Sequence, residues 1–344
     1  MSGISVSKLN LSNFRCYDAS RITLGSTTKP VVLTGANGAG KTNILEAISF
    51  LSPGRGLRRA ALSEVGKIGA IGQWAVAATI NCPSGAVDVG TGLAPVEMSG
   101  KSNNRRLVRI DGENASGPAA FADLWSVSWL TPQMDRLFLE GASSRRRFLD
   151  RMMLGLYPDH ARQVSAYERA MRERNRLLME QGMSADAGWL SALEARMAEH
   201  GVAVAAARNA FASHLLGKIE QAPNGRFPKA TIALDGFVEQ SLLEKSATAV
   251  EEELMARLKS SRRLDATKGR SSVGPHMCDL KIDHREKDMP AELCSTGEQK
   301  ALLIGLILAN ARLTRETKGA APLLLLDEVV AHLDADRRQA LFDE

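Results

Sequence analysis

The sequence is poor in the residues that build metal and disulfide frameworks. Four cysteines stand among 344 residues, Cys16, Cys82, Cys278 and Cys294, and no two form a C-x-x-C pair. That spacing excludes a zinc ribbon and a disulfide scaffold, so reduced thiols and a cytoplasmic location are the expectation. The six histidines are equally scattered and are read as structural. Aromatics make up 5% of the chain, too few for a platform that stacks single-stranded bases. No apolar run is long enough to cross a bilayer; the longest, Ala301 to Ala311, is followed by Arg312, well short of the roughly 20 residues a spanning helix needs. The start, MSGISVSKLN, has no charged segment leading into an apolar one, so no signal peptide and no membrane partner are expected.

What is present is an ordinary globular composition, with 44% hydrophobic and 24% charged residues. Its length suits one large α/β domain with an insertion, or two domains. The formal charge of +5 permits nucleic-acid binding without demanding it. The arginines, however, bunch: Arg55, Arg58 and Arg59; Arg105, Arg106 and Arg109; Arg145 to Arg147; Arg262 and Arg263 with Lys268 and Arg270. Each bunch is either a solvated face or a set of phosphate contacts.

In chain order, Ile4 to Asn13 alternates apolar and polar residues, and Ser20 to Leu24 does the same over a shorter stretch. Both read as half-buried strands. Val31 to Thr34 reads as a buried strand. Gly72 to Ile80, Ala86 to Val89 and part of Lys101 to Ile110 read as further strands, with Asp111-Gly112-Glu113-Asn114 as a hairpin turn. Composition changes near Ser143. From there to Glu220, apolar residues recur at helical spacing in two long runs, with a turn at Gln181 to Asp186, which predicts an antiparallel helical hairpin. The pattern is too short and irregular for a long coiled coil. A strand in Ala230 to Gly236 and a helix over Leu242 to Leu264 follow, and strand–helix alternation resumes from Val273.

Three stretches carry chemistry. The first, Gly35-Ala36-Asn37-Gly38-Ala39-Gly40-Lys41-Thr42, satisfies G-x-x-x-x-G-K-[ST] between a predicted strand and an amphipathic helix with Ile44, Leu45, Ile48 and Leu51. A plain glycine-rich turn is the alternative, and the flanking elements argue against it. Such a loop curls backbone N–H groups around phosphate oxygens, at the positive end of a helix. Lys41 then neutralises the β and γ phosphates, and Thr42 ligates Mg²⁺. The second, Leu323 to Leu326 followed by Asp327 and Glu328, is a buried strand delivering two acids at its C-terminal end. Asp327 suits the Mg²⁺ shell, and Glu328 suits the base that activates water. The third, Ser295-Thr296-Gly297-Glu298-Gln299-Lys300, opens a helix predicted over Ala301 to Arg312. Serine with glutamate three residues on is a capping box. It also reads as the signature of the ATP-binding-cassette superfamily, in which this helix start faces the γ-phosphate held on a second protomer; the two readings are compatible.

These motifs, split by a helical insert, resemble the RecF family of recombination and gap-repair ATPases, which are related to the SMC proteins. The resemblance covers essentially the whole chain. It rests on Leu9 to Leu11 through Asn13-Phe14-Arg15, Gly35 to Ile48, Arg145-Arg146-Arg147-Phe148-Leu149-Asp150, Val273-Gly274-Pro275-His276, and the two C-terminal motifs with His332-Leu333-Asp334. It implies an α/β fold: an ABC-type P-loop ATPase head with an inserted helical second lobe. The expected division is 1–130 and 271–344 for the head and 131–270 for the insert. The resemblance also implies that Gln133 is the Q-loop residue near γ-phosphate and Mg²⁺, and that Asp334 is the D-loop residue at a dimer interface. It implies ATP and Mg²⁺ as cofactors, an ATP-dependent homodimer, and duplex and gapped DNA as the ligand. RecR and RecO are the implied partners in placing RecA. Arg55, Arg58, Arg59, Arg105 and Arg106 are the expected DNA-backbone contacts, and turnover is expected to be slow and DNA-dependent.

There are departures. Met277-Cys278-Asp279-Leu280 follows Gly-Pro-His, where the family commonly has Arg-Asp-Asp-Leu, and Thr296 and Glu298 stand where the signature more often has glutamine or glycine. The sequence to Glu344 does not include the strand and switch loop that the family places after the D-loop helix, so ATP binding is the firmer expectation and hydrolysis the weaker. Three rival readings are a transporter subunit, an SMC-like structural protein, against which the helical insert is far too short for a long arm, and a nucleotide-dependent interaction protein with negligible turnover. A transporter subunit keeps the phosphate loop and signature closer together and lacks such a hairpin.

Overall fold

Antiparallel pairing governs the first third of the chain. The computed structural model describes residues 3–25, 29–70, 72–94, 105–223, 226–329 and 333–343. They form two compact units, one of residues 1–132 and 311–344, the other of residues 133–310.

In the first unit, β1 (Ser5–Phe14) buries Leu9 and Leu11 on one face, as its alternation requires, and Phe14 at its end. It pairs with β2 (Tyr17–Thr23) and, on its other edge, with a strand further along the chain. After the helix α1 (Lys41–Ser49) come β3 (Ala75–Cys82), β4 (Gly85–Leu93), β5 (Arg106–Ile110) and β6 (Glu113–Asn114). The sheet order is β2-β1-β3-β4-β5-β6. Asp111 and Gly112 link β5 to β6 with φ of 48° and 85°; two positive φ values are what a tight hairpin turn matching strand twist requires. Phe14, Phe50 and Trp74 meet with centroids 5.2 to 6.0 Å apart and pack α1 onto the sheet. The Trp74 and Trp125 indoles donate to the carbonyls of Leu62 and Leu51, both at 2.8 Å. A parallel strand, β7 (Val127–Leu130), follows.

The second unit is mainly helical. It contains α2 (Ala142–Met153), then the hairpin of α3 (His160–Gln181) and α4 (Ala187–Gln221) turning at Gly182–Ser184. Asp186 caps α4 by accepting from the Trp189 N–H at 2.6 Å. Next come β8 (Ala230–Asp235), the short α5 (Phe237–Ser241) and α6 (Ala247–Lys268), with Ser246 accepting from Ala249 N–H at 3.3 Å as its cap. The helix predicted over Leu242 to Leu264 thus starts later, at Ala247, and runs on to Lys268. Tyr167, Met197, Val202, Val250, Leu254 and Leu258 knit α3, α4 and α6 into one core. Within it Arg174 is fully buried, and its guanidinium donates to Glu194 (3.0 Å), Asp265 (2.8 Å) and the Leu258 carbonyl (2.7 Å). A buried charge without such partners would be strongly destabilising.

Strand β9 (Asp279–His284) pairs with β8 and with β10 (Met289–Pro290). This pairing joins residues 279–290 to β8 within the second unit. Helix α7 (Thr296–Lys318) is longer at both ends than predicted. The first unit resumes with β11 (Leu323–Leu326), which pairs in parallel with β7, and α8 (Ala335–Asp343).

One expected strand is not one. Val31 to Thr34 takes no strand pairing among the described residues, and Val31 and Val32 are 50% and 71% exposed. β-branched residues favour a pleated surface only where a neighbouring strand supplies hydrogen bonds and cover.

Candidate functional site

The glycine-rich loop turns because its glycines take backbones that other residues avoid: φ is 152° at Gly35, 81° at Gly38 and 96° at Gly40. Gly40 is further constrained by proximity. A Cβ there would lie 2.5 Å from the Tyr17 hydroxyl and 3.0 Å from Cys16 Sγ. The loop ends in α1, which has no side-chain cap and no acid in its first turn, so the free N–H groups of its start remain available to an anion. Lys41 folds back over the loop, its Nζ donating to the carbonyls of Gly35 (2.7 Å) and Ala36 (2.9 Å).

Strand β11 brings the acids to the same place. It runs alongside β7 with Leu326 opposite Leu130, and the Asp327 N–H continues the ladder to the Leu130 carbonyl at 2.9 Å. The Thr42 hydroxyl donates to Asp327 Oδ1 at 3.0 Å and Oδ2 at 3.1 Å. A hydroxyl beside a carboxylate is an all-oxygen donor set of the kind that suits Mg²⁺, whose remaining positions are usually filled by water and phosphate. Among the described residues no cluster of three or more His, Cys, Asp or Glu could hold a metal; a Thr–Asp pair with substrate phosphates does not need one. Glu328 is exposed with φ of 52°, a left-handed backbone that costs a non-glycine residue about 1 kcal/mol.

A clamp behind the loop escaped sequence reasoning. Glu46 of α1 is fully buried and accepts from Arg15 Nη2 (2.5 Å) and Nε (2.8 Å) and from Arg58 Nη1 (2.8 Å). Arg15 sits in the β1–β2 turn with φ of 53° and also donates to the Glu64 carbonyl at 2.7 Å. This pairing locks α1, and with it the phosphate loop, to the sheet. Phe14-Arg15 and Glu46 were both visible as motif residues, but nothing in their spacing says that they meet.

The signature stretch is self-capped. Ser295 N–H and Oγ–H both donate to Glu298 Oε2, at 3.0 and 2.8 Å, and Lys287 Nζ pairs with Glu298 Oε1. The bonds from Lys287 and then from Ser295 pull the Glu298 carboxyl down to about 2. Gly297 has open space where a side chain would stand. Gln299 and Lys300 point inward: Gln299 is buried and donates to the carbonyls of Cys294 (2.9 Å) and Glu292 (3.3 Å), and Lys300 is buried against Asp135 at 3.3 Å. Gln133 is exposed in the short turn Pro132–Arg136. Asp334 caps α8, accepting from the Arg337 N–H at 2.8 Å; His332 lies outside the described residues.

Arg55, Arg58, Arg59 and Arg105 are exposed. Arg106 is not, and its assignment as a DNA contact is corrected. It is buried, donates to Thr91 Oγ1 (2.8 Å) and to the carbonyls of Gly54 (2.6 Å), Ser52 (3.3 Å) and Phe50, and lies over the Phe50 ring at 5.4 Å. Burial lowers its pKa to about 10. Its donors are committed to the core, and a phosphate cannot reach them.

In the second unit the remaining motifs bind one another. Arg145 pairs with Asp279 through two bonds of 2.8 Å, Asp150 with Arg208 through two of 2.9 Å, and the Tyr167 hydroxyl with His276 Nδ1 at 2.6 Å. Asp279 thus lies in the Met-Cys-Asp-Leu run and pairs with Arg145 of the Arg145-Arg146-Arg147 run.

The RecF/RecN/SMC N terminal domain family model matches residues 5–343. A Mesorhizobium japonicum protein described as DNA replication and repair protein RecF is 48% identical, over 98% of this chain and 87% of its own length. The chain belongs to the RecF family. A Brucella suis RecF protein of the same description is 50% identical over 98% of this chain and 86% of its own. Among solved structures, the recombination mediator protein RecF-ATPrS of the RecFOR pathway superposes with a TM-score of 0.86 at 22% identity, covering 99% of this chain and 90% of that one. The Smc head of Pyrococcus furiosus gives 0.50 at 17%, over 98% and 86%. The fold is thus that of an ABC-type ATPase head with an inserted helical lobe, shared between RecF proteins and, more distantly, SMC heads.

Proposed function

We propose that the chain is an ATP-dependent DNA-binding protein of recombinational and single-strand-gap repair. The observation that carries this reading is the Thr42–Asp327 contact, which joins the phosphate loop to the acidic strand. Lys41 leaves the Gly35 and Ala36 carbonyls for the β and γ phosphates of ATP. Thr42 and Asp327 would hold Mg²⁺, which would supply charge neutralisation at the phosphates. Glu328 accepts the proton of the attacking water. Ser295 and Gly297 complete the γ-phosphate site of a second protomer, with Asp334 at the interface between the heads, so that ATP closes a homodimer.

In this reading the head comprises 1–130 and 271–344, and the helical lobe 131–270. The closed dimer holds duplex DNA near gaps through phosphate contacts from Arg55, Arg58, Arg59 and Arg105, and works in the cytoplasm with RecR and RecO to place RecA. Support comes from the family and from the descriptions of its relatives as DNA replication and repair proteins. No helix among the described residues is long and apolar enough to cross a membrane. Turnover is slow and regulatory.

Sedimentation with and without Mg-ATP and gapped duplex tests dimerisation, nucleotide dependence and DNA binding together. The comparison of Glu328→Gln with the parent tests turnover: the variant accumulates as an ATP-bound dimer with little phosphate release. Equal phosphate release from both refutes Glu328 as the base.

A further inference from the structure

A helix start that receives an anion must have its donors free when the anion arrives. At the start of α7 the donors of Ser295 are not free. Glu298 Oε2 accepts from both the N–H and the hydroxyl of Ser295, at 3.0 and 2.8 Å, while Lys287 holds Oε1. The same carboxylate therefore has two sets of partners, one of which is the residue that the composite site needs. Lys287 lies in the turn Arg285–Lys287 between β9 and β10, apart from the helix it serves. Open space above Gly297 leaves the approach to Ser295 unobstructed.

We propose that Glu298 is an internal stand-in for the γ-phosphate, and that Lys287 is the residue that draws it aside when ATP on a second protomer arrives. Resting on the composite-site reading above, this makes Glu298 and Lys287 positioning residues that set the ATP concentration at which the dimer closes. With Glu298 turned to Lys287, its charge is neutralised and the Ser295 hydroxyl is released to the incoming phosphate. Without Lys287, the carboxylate stays on Ser295 and opposes the phosphate by like-charge repulsion. Glutamine at 298 preserves the capping box, because its amide oxygen still accepts from Ser295 N–H, but it removes the charge.

The test is the ATP concentration that gives half-maximal dimer, measured by sedimentation with Mg-ATP for the parent, Glu298→Gln, Lys287→Met and the double variant. Thermal melts establish that all four are folded. Glu298→Gln lowers the half-point and Lys287→Met raises it, each by about two- to fivefold, the size expected of a partly exposed charge pair. The effect of Lys287→Met vanishes in the Glu298→Gln background, because lysine acts only through the carboxylate. A parent that dimerises on ATP, with Glu298→Gln unchanged or weakened, overturns the switch alone. A parent that shows no ATP-dependent association overturns the composite site and the switch together.

Discussion

The Thr42 hydroxyl donates to both carboxylate oxygens of Asp327 across 285 positions of sequence. Asparagine at 327 still accepts that hydrogen bond but removes the charge that attracts Mg²⁺. Asp327→Asn is therefore expected to weaken Mg-ATP binding by about tenfold or more, in the range typical of altered metal surroundings, while ATP binding in EDTA stays near that of the parent. Calorimetric titration in both conditions is the check; equal losses in the two would remove Asp327 from the metal shell.

Arg106 and its exposed neighbours should part company. Arg106→Ala leaves several buried carbonyls without their charged donor and is expected to destabilise the fold by about 3 kcal/mol, read as a lowered midpoint in urea. Charge reversal at Arg55, Arg59 or Arg105 should leave that midpoint nearly unchanged. Each should lower the salt slope of duplex binding by about one unit if it makes one phosphate contact. An unchanged slope removes the residue from the DNA surface.

Gly40→Ala introduces a Cβ against the Tyr17 hydroxyl at a φ of 96°. A cost of about 1–3 kcal/mol is expected for a side chain forced into that backbone, together with a loss of ATP affinity because the loop must shift. A variant with parental melting and parental ATP binding would show that the loop tolerates the side chain.

Acid should loosen the second unit through its paired aspartates. Burial works to raise the Asp279 pKa, but the hydrogen bonds from Arg145 and Lys281 outweigh it and hold the carboxyl below its usual range. Asp265 behaves likewise, with burial opposed by Ser272, Ser261 and Arg174. A carboxylate whose folded pKa is depressed stabilises fully above its unfolded pKa of about 3.9, and that contribution fades as pH falls through the lower folded value. Stability should thus drop between pH 4 and lower pH, and Asp279→Asn should flatten part of that drop. Denaturation midpoints measured across the range decide it; an identical profile in the variant would show that the Arg145–Asp279 pair does not contribute.

The phosphate loop, the acidic strand and the helical hairpin were legible because each is written in local pattern: a glycine spacing, a run of leucines ending in two acids, apolar residues at helical intervals. The three-layered role of Arg15, Glu46 and Arg58 was not, since a buried ion pair depends on which surfaces meet. Arg106 looked like its neighbours Arg105 and Arg109 because charge alone does not say which arginine of a cluster turns inward; its place on β5, facing Phe50, decided that. Val31 to Thr34 had the residues of a strand, but no partner strand among the described residues pairs with them. Gln299 and Lys300 share a helix turn with Gly297, and only the packing of α7 separates the buried pair from the open glycine.

By itself, the sequence determined that a triphosphate-binding loop, a pair of acids and a second helix start belong to one kind of ATPase, because those residue types at those spacings answer the chemistry of phosphate. The tertiary structure decided which side chains remain available for that chemistry. It joined Thr42 to Asp327, committed Arg106 to the core, and set Glu298 on Ser295, since each of these depends on distances between segments far apart in the chain.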